Sequence, residues 1–507
     1  MLFNSYIFLF IFLPITISIF FIFGKYKNKR LPIIWIVFSS LFFYGWWNPI
    51  YLLFIIGSMG ANYIFGRSIL RGYKKKSAKN KYLFLSGITF NLLLLGYFKY
   101  ANFFIDNINV IFNNDLYLQA IVLPLGISFF TFEQIAYLVD TYRGDSKEYN
   151  LWEYCTFVSF FPQLIAGPIA HHNEIIPQLN NDKIYKFDYR NFAPGLTIFF
   201  IGLFKKVMIA DKMALIAIPV FGSAETGYAI TFFEAWIGVL AYTLQIYFDF
   251  SGYSDMAIGL GRMFNIKLPY NFNSPYKSTS IIEFWRRWHI TLSRFLRDYL
   301  YIPLGGNRFG NISRYKNLLL TMFLGGLWHG AGWTFVLWGV LHGVYLTINH
   351  LWRQIYNDNY NNKYYTFISW ILTMLSIMIA WVFFRAASFS GAINILTGMF
   401  GANGFILPEY YQIKLPTLVA SLVTLLGVSF GYVSYIINKY DFIMLIVLIF
   451  SVLKLPNSQE IVFGEVSYQG IIFKWKPNLL WALFTVLITV FSIMSLNRVS
   501  EFLYFQF

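Results

Sequence analysis

Residues 280–343 carry the sequence SIIEFWRRWHITLSRFLRDYLYIPLGGNRFGNISRYKNLLLTMFLGGLWHGAGWTFVLWGVLHG, which holds three of the chain's six histidines. A helix over 283–299, at 100° per residue, places His289 on an apolar face. That face carries Trp285, Trp288, Leu292, Leu296 and Tyr299. The opposite face is charged and carries Glu283, Arg286, Arg287, Arg294, Arg297 and Asp298. The pattern predicts an amphipathic helix at a membrane interface, with His289 directed toward apolar surroundings.

His329 lies in a glycine-rich run, LGGLWHGAGW at 324–333. Glycines in an apolar helix either let two helices pack closely or open the helix so that backbone lines a cavity, and the run fits both. A helix rising from Lys316 would place His329 about 20 Å along its axis. An ionisable side chain that deep in a bilayer indicates a functional site. His289, on its apolar face, fits either a packed histidine or a general base.

The composition indicates a membrane protein. Hydrophobic residues make up 57% of the chain, charged residues 12% and aromatic residues 21%, whereas soluble domains carry about 25% charged residues. The net charge of +16 comes from basic residues in short loops between apolar segments. This is the pattern of cytoplasmic loops, so we expect a lipid bilayer and no nucleic acid as the partner.

We predict an all-α polytopic membrane protein with roughly 11–13 membrane helices and re-entrant pieces. The predicted membrane segments are about 5–24, 31–46, 50–66, 82–104, 120–141, 193–219, 229–250, 317–337, 338–356, 365–385, 417–437, 440–454 and 478–496. Lysines and arginines at 25–30, 67–81 and 262–316 place those loops in the cytoplasm and the N-terminus outside. Segment 151–170, interrupted by prolines and glycine, is expected to be re-entrant and buried. The polar interval 456–477 predicts a short hairpin.

Two groups of polar residues leave alternatives open. Asp249 and Asp255 lie in YFDFSGYSD at 247–255, where carboxylates either orient a histidine or cap helix ends. The adjacent His171 and His172 fit a loop at the membrane surface better than a metal site, because neighbouring residues cannot easily share one helix face.

No metal site is predicted. On a continuous helix, His329 and His342 would lie about 20 Å apart on different faces. The single cysteine, Cys155, excludes an intramolecular disulfide and any site built from several cysteines.

Several motifs resemble the membrane-bound O-acyltransferase family. They are FWRRWH at 284–289 with Arg297–Tyr299, LWHGA at 327–331, LPLGISFFTF at 123–132, Gly167–Pro168, Tyr247–Ser254 and WVFFRA at 381–386. The resemblance spans about 1–400 and is strongest to the bacterial branch that O-acetylates alginate, cellulose or peptidoglycan. The apolar segments after about 410 and FLYFQF at 502–507 also resemble that branch. We expect one integral membrane domain over 1–507, with a core at about 1–400 and additional transmembrane helices at about 410–507.

The resemblance implies a ring of helices around a central catalytic tunnel that opens to the cytoplasm and to the outside. By analogy, His329 is the central catalytic residue and His289 the second, and the resemblance leaves open whether His329 carries acetyl or acts as a base. Six further residues are expected to bind substrate or line the tunnel: Trp285, Trp288, Trp328, Asp249, Tyr253 and Arg286.

The implied activity is acetyl transfer from a cytoplasmic thioester, first of all acetyl-CoA, which is a donor substrate and not a bound cofactor. The acceptor would be a periplasmic acetyltransferase partner or the glycan itself, and the location a bacterial cytoplasmic (inner) membrane. D-alanyl transfer to teichoic acid is an alternative within the family. From other classes, a transporter or pore and a structural subunit of a glycan-export complex stay open.

Overall fold

The computed structural model describes residues 1–72, 78–118, 121–165, 167–356, 362–464 and 474–496. Helices dominate these residues. In chain order the α-helices are α1 (Leu13–Gly24), α2 (Arg30–Gly45), α3 (Tyr51–Gly72), α4 (Ala78–Leu95), α5 (Ala101–Phe112), α6 (Ile127–Arg143), α7 (Leu151–Ser159), α8 (Phe161–Leu164), α9 (His172–Leu179), α10 (Tyr189–Phe204), α11 (Asp211–Glu225), α12 (Phe232–Met263), α13 (Ile281–Arg287), α14 (Ile290–Leu296), α15 (Gly310–His329), α16 (Trp333–Ile355), α17 (Lys363–Arg385), α18 (Phe389–Met399), α19 (Glu409–Lys414), α20 (Thr417–Leu425), α21 (Lys439–Lys454), α22 (Ser458–Phe463) and α23 (Leu479–Met494). Shorter helical turns are of the π type at Phe8–Phe12, Gly96–Tyr100, Lys205–Ala210 and Arg297–Tyr301, and of the 3₁₀ type at Asp182–Tyr185 and Pro275–Lys277.

Strands are a minor feature of the described residues. The short strands β1 (Ile406–Pro408) and β2 (Ser429–Gly431) pair in parallel. Because helices account for most of the described residues and strands for very few, the predicted all-α polytopic class is confirmed. The expected division into a core and C-terminal helices stays a prediction.

Several helices can cross a membrane by length and composition. The long ones are Tyr51–Gly72, Ala78–Phe112, Tyr189–Glu225 and Lys363–Arg385, and the shorter apolar ones are Phe8–Gly24, Arg30–Gly45, Phe389–Met399 and Leu479–Met494. These helices make the chain a multi-pass membrane protein. Ala78–Phe112 and Tyr189–Glu225 each run through a π-helical turn, and lysines lie in both turns.

The sequence predictions hold in one irregular region and fail in two. Segment 151–170 forms the short helices α7 and α8, and its described residues from Cys155 onward are buried, as predicted. The span predicted over 417–437 is wrong, because α20 ends at Leu425 and the chain turns at Gly427 (φ 85°) toward β2. The hairpin predicted over 456–477 is wrong where the structure describes it, since Ser458–Phe463 is helical. FLYFQF at 502–507 lies outside the described residues.

Helix α12 runs through the centre of the molecule and is longer than the predicted span 229–250. Most of its residues are buried. It packs closely on α10, because a Cβ atom on Gly202 would lie only 2.5 Å from the carbonyl oxygen of Gly252. A Cβ atom on Gly259 would likewise lie 2.5 Å from the oxygen of Gly195. Glycines at these crossings allow the two backbones to touch.

Helices α15 and α16 form a hairpin that corrects the predicted boundary between spans 317–337 and 338–356. Helix α15 ends at His329, Gly330 and Gly332 are extended, and α16 begins at Trp333. Gly326 packs against α16, where its Cβ atom would lie 3.0 Å from Cα of Gly339. Both alternatives for the glycine run are therefore realised, close packing at Gly326 and an opened helix at Gly330.

The helix predicted over 283–299 is interrupted at His289. Helix α13 ends at Arg287 and α14 begins at Ile290, and His289 between them has φ 43° and ψ 53°. The two faces are as predicted, since Trp285 is buried and Arg286 is exposed. The interruption keeps the apolar residues of both short helices directed inward.

Candidate active site

His329 closes helix α15 with its imidazole enclosed by aromatic rings, and the residue is 5% exposed. The ring centroids of Trp328, Trp338 and Phe384 lie 4.9, 4.8 and 5.3 Å from that of His329. Trp338 belongs to α16 and Phe384 to α17. Three helices therefore build one aromatic pocket around this imidazole.

The carbonyl groups in the last turn of α15 receive hydrogen bonds from a neighbouring helix. The end of a helix leaves its last carbonyl oxygens without intrahelical donors. The Tyr100 hydroxyl donates to the carbonyl oxygen of Leu327 at 2.8 Å. The Lys99 ammonium donates to the carbonyl oxygens of Trp328 at 2.5 Å and His329 at 3.0 Å. The position of His329 is thus fixed through its own backbone.

The sequence analysis missed Lys99. Its signal is local, because Lys99 is the one charged residue in the predicted span 82–104. An ionisable side chain inside a membrane span indicates function, and applying this rule to every span would have identified it.

His289 has the features of a functional histidine. Its left-handed backbone conformation is uncommon for a residue other than glycine, and such strained residues cluster at functional sites. The ring is fully buried, and its centroid lies 4.7 Å from Phe250 and 6.5 Å from His329. Neither ring nitrogen has a hydrogen-bond partner among the described residues. Because a buried polar atom without a partner costs about 1–3 kcal/mol, these nitrogens lower the stability of the fold, which favours a functional role for the ring over a structural one.

His342 joins the same cluster, although a continuous helix would have placed it far from His329. Its Nδ1 accepts a hydrogen bond from the indole N–H of Trp285 at 3.2 Å. Its ring centroid lies 4.8 Å from that of Trp338, which also contacts His329. The expected separation was wrong because the chain opens at Gly330 and reverses, so that α15 and α16 pack side by side.

The three tryptophans predicted to line a tunnel are all buried beside the histidines. Trp328 lies 6.4 Å from His289 between ring centroids, and Trp285 lies 5.2 Å from His342. Trp288 directly precedes His289 and is 2% exposed. The structure brings these side chains together, and their role in substrate binding stays a prediction.

Asp249 and Tyr253, also predicted to line the tunnel, contact a lysine. Lys206 Nζ lies 2.6 Å from the carboxylate of Asp249 and 5.9 Å from the centre of the Tyr253 ring. Lys205 Nζ lies 2.6 Å from the carboxylate of Asp255. The two alternatives for these carboxylates were a histidine partner and a helix cap, and the structure instead gives each of them a lysine. The ion pairs join α12 to the π-helical turn between α10 and α11.

Arg286 lies in the wall of an open cavity of about 710 Å³. The basic residues of that wall are Arg286, Arg294, Arg297, Arg314 and His350. Apolar side chains complete it, among them Trp285. Because Trp285 also hydrogen-bonds His342, one residue belongs to both the cavity and the histidine cluster.

Part of the positive charge around this cavity is uncompensated. Arg294 binds both carboxylate oxygens of Glu174, at 2.7 and 2.9 Å. Burial raises the pKa of Glu174, but the hydrogen bonds and charge of Arg294 outweigh it and hold this pKa below its usual value. Arg286 and Arg314 have no carboxylate partner among the described residues. The cavity therefore favours an anionic ligand.

His171 and His172 are buried, so the surface loop predicted for them is wrong. His172 Nε2 lies 3.0 Å from the carboxylate of Asp140. The Tyr299 hydroxyl donates to that carboxylate at 2.8 Å and lies 3.1 Å from His171 Nδ1. Within the described part of the chain, no group of three His, Cys, Asp or Glu side chains is arranged to hold a metal ion.

Comparison with known proteins gives one family and several relatives. The family model of the membrane-bound O-acyltransferases matches residues 89–390. The chain is 45% identical over 433 residues to the peptidoglycan O-acetyltransferase of Helicobacter pylori, covering 80% of each protein. It is 43% identical over 432 residues to "Probable alginate O-acetylase AlgI" of Pseudomonas aeruginosa, covering 83% of this chain and 79% of that protein. It is 29% identical to the teichoic acid D-alanyltransferase of Streptococcus thermophilus, over 46% of this chain and 59% of that protein.

The buried ion pair of Lys206 makes a testable contribution to stability. Lys206 Nζ also lies 2.8 Å from the carboxylate of Asp211. We expect Lys206→Met to lower the free energy of unfolding by about 3–5 kcal/mol, because it leaves the buried charge of Asp249 uncompensated and removes the partner of Asp211. The double variant Lys206→Met/Asp249→Asn should recover part of the loss, since Asp211 keeps its charge. Thermal unfolding of the purified protein in detergent measures both.

Lys212→Met is the matched control, since Lys212 lies on the same helix and is partly exposed. It should unfold within about 0.5 kcal/mol of the wild type. A wild-type unfolding temperature for Lys206→Met would contradict the assignment of a buried ion pair.

Proposed function

We propose, from the premise that this chain belongs to the membrane-bound O-acyltransferase family, that it transfers acetyl groups to a cell-envelope or extracellular polysaccharide. The protein is an acyltransferase, as the family match and the names of its relatives establish. Two relatives that align with about four-fifths of the chain are named for O-acetylation of peptidoglycan and of alginate. These similarities favour acetyl as the acyl group and a glycan as the final acceptor.

The observation that carries the proposal is the pairing of His289 and His329 in one aromatic pocket, 6.5 Å apart between ring centroids. O-acyl transfer requires a base within reach of a hydroxyl group and a donor of hydrogen bonds for the carbonyl oxygen. At this separation both imidazoles can reach one reacting group that enters the pocket. Aromatic walls exclude water, which would otherwise compete with the acceptor hydroxyl.

The cavity beside Trp285 supports a thioester donor that carries negative charge, and acetyl-CoA fits this description. Arg286 and Arg314 attract its phosphates, and the apolar wall accommodates the uncharged arm that ends in the thioester. Basic residues are dense in 262–316, which favours a cytoplasmic location for the cavity mouth. The acetyl group then enters from the cytoplasm toward the histidine cluster.

The proposed reaction is direct transfer. His329 accepts the proton of the acceptor hydroxyl, and the hydroxyl oxygen attacks the carbonyl carbon of the thioester. As the new C–O bond forms, the C–S bond breaks, and the proton passes from His329 to the departing sulfur. A neutral His289 donates its ring N–H to the carbonyl oxygen, where negative charge develops.

The acceptor is proposed to approach from the opposite face of the membrane. Helix α15 starts in the basic region and carries His329 at its far end, about 28 Å along the axis. The neighbouring Trp333 is 52% exposed and donates a hydrogen bond to Asn107 at 2.8 Å. Asn107 follows the span 82–104, whose end is predicted to lie outside. We propose a periplasmic acetyltransferase partner or the glycan itself as the acceptor, in a bacterial cytoplasmic (inner) membrane.

The catalytic role of His329 is tested with glycan-bound acetate in a deletion strain. His329→Ala should restore less than about 1% of the acetate that the wild-type gene restores, because general-base catalysis contributes at least about a hundredfold. Alkaline release of acetate from purified envelope and extracellular glycans is the measurement, with protein abundance in the membrane fraction matched by immunoblot.

Two other outcomes of the acetate measurement would change the conclusion in different ways. Full restoration by His329→Ala would make His329 a packed histidine and overturn the site. If deletion removes D-alanine esters from teichoic acid and leaves acetate unchanged, the acyl group is D-alanine.

The donor cavity is tested separately from the chemistry. Arg286→Gln should raise KM for acetyl-CoA about tenfold and leave kcat within about twofold, because one charge-assisted hydrogen bond to phosphate is lost. Steady-state release of CoA by the reconstituted enzyme, with soluble peptidoglycan fragments as the acceptor, gives both constants. Arg297→Gln is the control, since Arg297 lines the same cavity but binds Asp298 at 2.7 Å, and its KM should stay near that of the wild type. Equal KM values for both variants would rule out this cavity as the donor site.

A further inference from the structure

Lys99 belongs to an apolar helix and contacts the end of α15, which is an unusual environment for a lysine. It lies in the π-helical turn Gly96–Tyr100 of the helix Ala78–Phe112. Its ammonium group contacts two consecutive carbonyl oxygens, those of Trp328 and His329. It also lies 5.8 Å from the centre of the Trp328 ring.

We propose that Lys99 is a positioning residue for the imidazole of His329, an inference that rests on the catalytic role proposed above for that histidine. The ammonium holds the carbonyl group of His329 itself, so it fixes the peptide plane that follows the Cα atom bearing the imidazole. The chain beyond is extended at Gly330 (φ −157°), and no further helical turn supports this plane.

The second contact of Lys99 is with the ring of Trp328, which forms part of the aromatic pocket. A cation over an aromatic face is attracted by the ring. The ring of Trp328 touches both histidines, with centroids 4.9 Å from His329 and 6.4 Å from His289. A single ammonium group therefore restrains the backbone of one histidine and a tryptophan whose ring contacts both histidines.

The charge of Lys99 suits this place. The C-terminus of a helix carries partial negative charge on its last carbonyl groups, and a cation is favourable there. Trp328 and His329 are buried, so each of their carbonyl groups needs a donor from the protein. A neutral side chain of the same length fills the space at position 99 but leaves both carbonyl groups without their donor.

Tyr100 provides an internal comparison. Its hydroxyl donates to Leu327 in the same turn, two residues before His329. If the neighbouring helix only stabilised the end of α15, loss of either donor would act alike. Because only Lys99 reaches the carbonyl of His329, the positioning role predicts a much larger effect on turnover at Lys99 than at Tyr100.

The test uses the full-length enzyme in liposomes with acetyl-CoA as the donor, soluble peptidoglycan fragments as the acceptor and release of the CoA thiol as the signal. Lys99→Met should lower kcat between about tenfold and a hundredfold and leave KM for acetyl-CoA within twofold, because misplacement of a catalytic group by about 1 Å costs up to a hundredfold. Lys99→Arg, which keeps the charge and donors, should recover kcat to within about fivefold of the wild type. Tyr100→Phe should stay within about fivefold as well.

Lys81→Met, at an exposed position in the first turn of α4, should match the wild type and controls for loss of a positive charge. A kcat for Lys99→Met within twofold of the wild type would overturn the positioning role. Equal losses in Lys99→Met and Tyr100→Phe, with matching drops in unfolding temperature, would overturn it too and leave only a helix cap. If the wild type releases no CoA and its deletion changes no glycan acetate, the proposed function itself fails, and the inference fails with it.

Discussion

A helix that ends in the interior of a protein must find partners there for its last carbonyl groups, because an unpaired buried carbonyl is costly. Helix α15 ends in this way at His329, and the geometry of the site follows from it. The extended residues from Gly330 onward let the chain reverse, and the contact of Gly326 with Gly339 lets α16 return at close range. That return carries Trp338 and His342 back to the level of His329. Donors from a neighbouring helix satisfy the exposed carbonyls and make the break stable.

Charge is distributed in two ways in this molecule, and each way suggests a different role. Lys205 and Lys206 are bound by carboxylates of α12 at 2.6 Å, which neutralises charge in the interior and ties helices together. Arg286 and Arg314 line an open cavity without carboxylate partners among the described residues. Paired charges serve architecture, whereas cations without a carboxylate partner, beside an apolar wall, favour a ligand that is anionic at one end and uncharged at the other.

The sequence predicted the residue types of the site better than its geometry. His289 and His329 were identified because ionisable side chains are rare in apolar surroundings and their motifs match a family. The helical period assigned Trp285 and Arg286 to the correct faces, but such a pattern carries no information on φ, so the left-handed break at His289 was missed. The apolar composition of 417–437 likewise gave no indication of the turn at Gly427, so the predicted span was too long.

Local sequence patterns could not predict the contacts between segments that are distant in the chain. His342 joins the cluster only because the chain reverses after α15, and Lys99 meets the end of α15 from more than two hundred residues away. The partners of Asp249 and Asp255 are also set by the packing of α10 on α12. The family itself was predicted from short motifs and is confirmed by relatives that cover most of the chain.

The most direct test of this account is a cryo-electron microscopy structure of the protein with a thioether analogue of acetyl-CoA, which binds as a donor but cannot transfer its acyl group. We predict that the phosphates lie against Arg286 and Arg314 and that the two-carbon end contacts His289 and His329 in the aromatic pocket. An analogue bound in another cavity, or one whose two-carbon end stays outside the aromatic pocket, would contradict it.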